Sequence, residues 1–454
     1  MLKIGLICAI ICLVQSDELL FVVEVTTPGF YYPKAEVFEW SKDKSFNLTN
    51  AGLRQQYLLG RELRKRYMED TKLLSERYDM RSRKQIRIRT TSKTQTIAST
   101  YAQLMGLYTP GSGDLLTSNE IGKAIPPNVY DYSVWIEELE TAALNYTYQT
   151  IPLEQYGGVA DNLLNSEEHC YTVRSLVNSA LESNQEKYAE KFKILTDALG
   201  VEKEKIKNVR DASEMRYALI LSVAEGKSPN NNVEKALEAY KATVEIENAY
   251  VYDHMLNINS NERNVRKIIT SSILREMTSL FNSSMQTHIE NNIRTDLRFI
   301  LYSGEFHLFL ALLKQFDIIA NLTEPLTGSA LLLELFFKSN TENKTTENYY
   351  IKITCDNEEK IVSMEQFIKE IENATLDDNE YANHCNGFPD DSSLLSWILI
   401  FSIGGGVLVI GLAVLVVCLI RAKCKDELSD TDAEQKTLEM LQNRLNLEAP
   451  KDEL

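Results

Sequence analysis

The sequence predicts an α/β fold carried on a single membrane-spanning helix. Two observations predict the α/β part. The apolar runs at 18–25 (ELLFVVEV) and 297–303 (LRFILYS) have the branched, near-continuous character of buried parallel strands. Helical patterns follow strand patterns repeatedly, as in a strand–helix–strand sheet. The third observation is residues 394–420, a stretch of 27 residues without a charge. At about 1.5 Å per residue it exceeds a hydrocarbon core of about 30 Å. The chain is long, at 454 residues, and carries 48 Lys+Arg against 65 Asp+Glu, a net charge of −17. That balance excludes a nucleic-acid partner, because phosphate-backbone binding needs a basic face.

In chain order, residues 1–16 read as a secretory signal peptide. Lys3 is followed by the apolar run 4–14, with Val14 and Ser16 at the small-residue positions of a cleavage site. After the strand at 18–25 comes a helix at 51–67, with Leu53, Tyr57, Gly60, Leu63 and Tyr67 on one face. The pattern predicts a strand at 84–90, a helix at 92–106, a strand at 297–303 and a helix at 307–316. Residues 170–290 are polar-amphipathic without clear strands and predict an α-rich cap.

Trp397 stands near one end of the span at 394–420, Asp390 and Asp391 precede it, and Arg421, Lys423 and Lys425 follow. Positive residues stay on the cytosolic side, so the expected topology is type I. Residues 17–393 then form a luminal or extracellular ectodomain, at the plasma membrane, lysosome or another endomembrane, and 421–454 a cytosolic tail. The sequons at Asn47, Asn145, Asn282, Asn321, Asn343 and Asn373 all lie in the expected ectodomain, which agrees with a glycoprotein. The terminal Lys451-Asp452-Glu453-Leu454 spells a luminal retention signal but falls on the cytosolic side, so it is read as coincidence.

Three cysteines remain in the ectodomain, Cys170, Cys355 and Cys385. An odd number in an oxidising compartment implies one pair and one leftover thiol, and spacing does not choose the pair. His169, His254, His288 and His384 lack metal-ligand spacing and are expected to be surface or structural. No metal or cofactor is expected.

Several segments together resemble the histidine acid phosphatases of the prostatic and lysosomal branch: FVVEV at 21–25, LTNAGLRQQYLLGRELRKRY at 48–67, RTTSKTQTIAST at 89–100, AQLMGLY at 102–108 and LRFILYSGEFHLFLALL at 297–313. The resemblance implies a three-layer α/β domain with an α-rich cap and a cleft at the strand ends. In that family a strand-end Arg-His-Gly-x-Arg-x-Pro motif supplies a nucleophilic histidine and two arginines. A later arginine and a second histidine complete the phosphate clamp, and an aspartate after that histidine protonates the leaving group.

This chain keeps the frame and lacks those groups. Gly29 and Pro33 match the motif, but Thr27 stands for the first arginine, Pro28 for the histidine and Tyr31 for the second arginine. Glu305 and Phe306 replace the His-Asp pair, with His307 two positions late. Arg89 matches the remaining phosphate-binding arginine, and Gln95 replaces another. Proline offers neither nucleophile nor N–H donor. The expectation is an inactive pseudophosphatase that binds or scaffolds, in which Arg89 is a relic paired with Glu305. The alternative is a membrane-bound acid phosphatase with an altered site. An imidazole in the cleft beside Arg89 would count against inactivity. The resemblance also implies a Cys170–Cys385 disulfide with Cys355 free (the runner-up being Cys355–Cys385) and is compatible with a homodimer. The ligand is not named by the sequence.

Overall fold

The strand expected at 18–25 forms as β1 (Glu18–Thr26) and lies inside a seven-stranded sheet. The other strands are β2 (Ile86–Thr91), β3 (Glu154–Tyr156), β4 (Phe299–Ser303), β5 (Ala330–Phe337), β6 (Tyr349–Cys355) and β7 (Glu358–Ser363). Their order is β3-β2-β4-β1-β5-β6-β7. The computed structural model describes residues 17–33, 46–78, 84–128, 133–182, 186–227, 232–248, 259–260, 263–318, 326–339 and 343–386. The signal peptide at 1–16, the span at 394–420, the tail at 421–454, His254 and Asn321 lie outside them. Among the described residues no helix is long and apolar enough to cross a membrane.

The sheet is mixed. β1, β2, β3 and β4 are parallel, with Thr26 opposite Ser303 and Ser303 opposite Thr90. β5 runs antiparallel to β1 and continues into the antiparallel β6 and β7, three strands that extend the sheet beyond the expected strand–helix repeats. Alternation along β1 divides two apolar layers. Val22 joins Phe299, Leu301, Ile86 and Ile88 on one face, while Phe21, Val23 and Val25 join Ile300 and Tyr302 on the other.

The first face is covered by α1 (Asn50–Arg64) and α2 (Thr94–Leu107). Thr49 caps α1 by accepting from the Gly52 N–H. The buried stripe of α1 is Gly52, Gln56, Gly60 and Leu63, whereas Leu53 and Tyr57 are exposed at 42% and 36%. Gly60, Leu63 and, just beyond the helix, Tyr67 of the expected face are buried; only in the first half of the helix does the contact pass to Gly52 and Gln56, because the chain there approaches too closely for larger side chains. A Cβ on Gly60 would stand 1.9 Å from the Gln103 carbonyl oxygen, and one on Gly106 would stand 2.1 Å from that of Tyr57.

The cap comprises α3 (Tyr171–Glu182), α4 (Ala189–Leu199), α5 (Val209–Ala224) and α6 (Val233–Ala242). The long α7 (Val265–Asn291) does not belong to it. It contacts β1 and two later helices, α8 (Phe306–Gln315) and α9 (Met364–Ala374), and covers the second face of the sheet. A last helix, α10 (Asp378–Asn386), lies against α3 and α7.

Candidate active-site cleft

In open α/β sheets ligands bind beyond the carboxyl ends of the strands. Here a cavity of about 500 Å³ opens at that edge, between the strand ends and the cap. Thr27, Pro28 and Tyr31 line it from the segment after β1, Lys93 from the turn after β2, and Glu305, Phe306 and His307 from the start of α8. Glu167 and Glu168 enter beside Cys170, and Arg174, Arg210 and Tyr217 enter from α3 and α5.

The segment after β1 is tied into the protein at nearly every polar atom. Thr27 Oγ1 donates to the Leu326 carbonyl at 2.5 Å, and Gln56 Nε2 donates to the Thr27 carbonyl at 2.7 Å. The Gly29 N–H donates to Ser99 Oγ at 3.1 Å, and a Cβ at Gly29 would meet the Gly52 carbonyl oxygen at 2.4 Å. Pro28, at the nucleophile's place, offers only its carbonyl, which accepts from the Gly328 N–H at 2.8 Å. Phe30 and Tyr32 are buried in the core. Tyr31 packs its ring against Tyr217 with centroids 5.0 Å apart, and its N–H donates to the Tyr217 hydroxyl at 2.8 Å.

Arg89 does not meet Glu305. Its Nη2 donates to Asp161 Oδ1 at 2.7 Å, its guanidinium lies 4.2 Å from the Tyr156 ring centre, and both ionic partners are buried. Arg89 is absent from the residues lining the cavity. The parallel pairing of β2 with β3, Arg89 opposite Glu154, carries the chain round to Asp161, which also accepts from the N–H groups of Leu163 and Leu164. Gln95 is buried in α2.

Glu305 instead faces Lys93, whose Nζ is 3.5 Å away, and Thr91 Oγ1 at 3.4 Å. Lys93 also meets Glu168 at 3.2 Å. Burial works to lower its pKa, but the charges of Glu305 and Glu168 outweigh that and hold it above the ordinary lysine value. His307 lines the cavity, with Nδ1 3.3 Å from Glu167, and Arg210 donates to the same carboxylate at 3.1 Å. Burial pushes Glu167 up, yet the His307 hydrogen bond and the charges of His307, Arg210 and Lys93 bring it down to about 2. Phe306 packs against the core beside the cavity. An imidazole thus reaches the cleft, but beside Glu167 and Arg210 rather than Arg89.

Lys93, Asp161, Glu167, Glu168, Arg210 and Tyr217 are site residues that the sequence did not single out. Only Lys93 carried a local signal, since it lies inside the segment that bears the resemblance. Among the described residues no group of three His, Cys, Asp or Glu could hold a metal ion.

The cysteines are free thiols in the structure, and all three are buried. The Cys385 thiol on α10 donates to the sulfur of Cys170, just before α3, which lowers the pKa of Cys170. Cys355, at the end of β6, is pushed up to about 12 by burial. The described sequon residues Asn47, Asn145, Asn282, Asn343 and Asn373 are all exposed. His288 is buried and bonded to the Tyr349 hydroxyl at 2.8 Å, a structural place.

Residues 26–356 match the family model of the histidine phosphatase superfamily, branch 2. The chain belongs to that superfamily. Among solved structures it is similar to the phytase of Klebsiella sp. ASR1, at 13% identity and a TM-score of 0.51, over 81% of this chain and 98% of that one. The apo phytase of Hafnia alvei is 12% identical with a TM-score of 0.49, over 80% and 98%. The phytase of Citrobacter braakii is 13% identical with a TM-score of 0.47, over 79% and 98%. At 13% identity the likeness to the Klebsiella enzyme speaks for the fold alone.

Proposed function

We propose that this protein is a non-hydrolytic member of the superfamily, a pseudophosphatase that uses the strand-end cleft to bind. The observation that carries the reading is the floor of that cleft. Thr27, Pro28, Tyr31 and Glu305 occupy the places of two arginines, the nucleophile and the second histidine, and the surviving Arg89 is committed to Asp161. A phosphoryl group entering here meets no guanidinium from β1 or β2 and faces a carboxylate. Losing a covalent nucleophile alone removes on the order of 10⁴ to 10⁶ in rate in other hydrolases. We further propose, from the sequence features above, that it acts as a type I membrane glycoprotein of the secretory route. The five exposed sequons are compatible with that placement.

A second reading, an acid phosphatase with a rebuilt site, is favoured by one observation: His307 lines the cavity. Against it, Arg210 and Lys93 are both engaged by carboxylates. The full-length protein assayed with an aryl phosphate across pH 4–7 separates the two. The expected result is no turnover above buffer. Turnover abolished by His307→Ala would establish the second reading.

A further inference from the structure

We propose that the cleft binds a small organic cation, an ammonium group on an aromatic or apolar body, with Glu305 as the counter-charge and the Tyr31–Tyr217 pair as its wall. The proposal rests on the non-hydrolytic reading and names the ligand class of that same site. Three features of the cavity carry it.

First, the cations at the floor are shared among carboxylates. The one ammonium there, Lys93, is shared by Glu168 and Glu305, while Glu167 is matched by Arg210 and His307. Arg174, Arg216 and Glu214 also line the cavity, so its lining as a whole carries no negative excess; the local feature is that one ammonium serves two carboxylates, Glu168 and Glu305, where the resemblance expects a phosphate dianion to be held by cations. Second, Glu305 is the loosest of these carboxylates. Its side chain is only 19% exposed, yet its polar partners stand at 3.4 Å and 3.5 Å. A carboxylate withdrawn from water and not closely paired is poised to accept a short, charged hydrogen bond from an ammonium. Third, the wall is aromatic. Tyr31 and Tyr217 lie 5.0 Å apart at 31°, locked by two hydrogen bonds between the Tyr217 hydroxyl and the Tyr31 backbone, and Phe46 and Phe306 also line the cavity. Ring faces attract cations and offer apolar area to the ligand's body. About 500 Å³ is room for a small amine of this kind.

Lys93 provides a test of sign. It competes with an incoming ammonium for Glu168 and Glu305, so Lys93→Met should strengthen amine binding, whereas it would weaken a phosphate. The experiment is calorimetric and thermal-shift titration of the full-length protein at pH 7 with 2-phenylethylamine, phenyl phosphate and inorganic phosphate. The expected result is a rise in melting temperature and saturable heat with the amine only. Affinity should weaken by about tenfold or more in Glu305→Gln, the loss of one charged hydrogen bond, and tighten several-fold in Lys93→Met. If Glu305→Gln does not fold, Lys93→Met decides alone. Binding of phosphate without the amine, no binding of the amine, or weaker amine binding in Lys93→Met would each overturn the proposal. Failure of the amine to bind, with no aryl phosphate turned over, leaves the non-hydrolytic reading standing. Turnover would remove that reading instead.

Discussion

Replacing Glu24 with glutamine should make the protein more stable at alkaline pH while changing little under acid conditions. Glu24 is fully buried in β1, on the face that receives α1 and α2. Gln103 Nε2 donates to its Oε1, while Glu24 Oε2 and Gln103 Oε1 are both buried acceptors without a donor. A proton on Glu24 supplies a donor that this pair lacks. Burial accordingly raises its pKa from 4.5 to about 8, with the Gln103 hydrogen bond opposing in part. In the unfolded chain the carboxyl ionises near 4.5, so between 4.5 and about 8 the folded state holds one proton more. Stability from this group is complete below pH 4.5 and declines as pH rises towards 8. The interval, at about 1.4 kcal/mol per pH unit, amounts to about 3–5 kcal/mol. Tyr67, Glu334 and Arg66 face the same layer, and Glu334 is also raised by burial, so the wild-type curve alone does not isolate Glu24. The difference between wild type and Glu24→Gln does. Urea denaturation at pH 4.5, 6, 7 and 8.5 should show the variant within about 1 kcal/mol of wild type at the lowest pH, both then having a neutral side chain there. Its advantage should grow steadily to about 3–5 kcal/mol at the highest. A difference that stays flat across the series would refute the reasoning, because Glu24 would then be ionised, or equally protonated, in both states.

The remaining predictions concern the frame. Asp161→Asn leaves Arg89 as a buried, uncompensated charge and should cost about 3–5 kcal/mol; the Arg89→Met/Asp161→Asn double variant should lose clearly less than the sum of the single changes in denaturation. Additive losses would mean that the 2.7 Å contact is not coupled. Gly60→Ala forces the two covering helices apart and should destabilise by about 1–3 kcal/mol, read as a fall in melting temperature; an unchanged melting temperature would contradict the close approach to Gln103. After oxidative secretion, non-reducing peptide mapping should recover a Cys170–Cys385 peptide, the two sulfurs already being in hydrogen-bonding contact. Recovery of a Cys355–Cys385 peptide instead would reject that pairing.

What was legible in the sequence is what local pattern encodes. β1 and β4 announce themselves by branched apolar runs and β2 by alternation, and α2 and α8 follow them where strand–helix alternation places them. β5 (ALLLELFF) carries leucines, which suit a helix as well as a strand, and its identity comes from pairing with β1. β3 has three residues, two of them exposed, and no apolar pattern to read. Yet β3 decides the fate of Arg89. A contact 72 residues away, positioned by a strand too short to detect, is invisible to periodicity. The same holds for the Glu167–His307–Arg210 group, in which α5, the start of α8 and the turn before Cys170 each contribute one member. That Pro28 stands where the resemblance expects a histidine was legible at once, because a residue type needs no geometry.

On the non-hydrolytic reading proposed above, the arrangement of donors accounts for how such a frame would outlast its chemistry. A catalytic cleft aims polar groups at a ligand and leaves them unmatched without it. Here several of the corresponding donors are matched within the protein. Thr27 donates to Leu326, the Gly29 N–H to Ser99, the Tyr31 N–H to Tyr217, and Arg89 to Asp161. Unsatisfied buried donors each cost about 1–3 kcal/mol, so turning them inward stabilises the fold in the absence of ligand. Arg89 Nε, Asp161 Oδ2 and Gln95 Oε1 stay buried without a partner, and Glu305 has its polar partners at 3.4 Å or beyond. On the reading proposed above, a floor whose β1-segment donors turn inward and whose Glu305 is loosely held is a poorer place for a phosphate than for a cation, and the paired titrations with amine and phosphate read that difference directly.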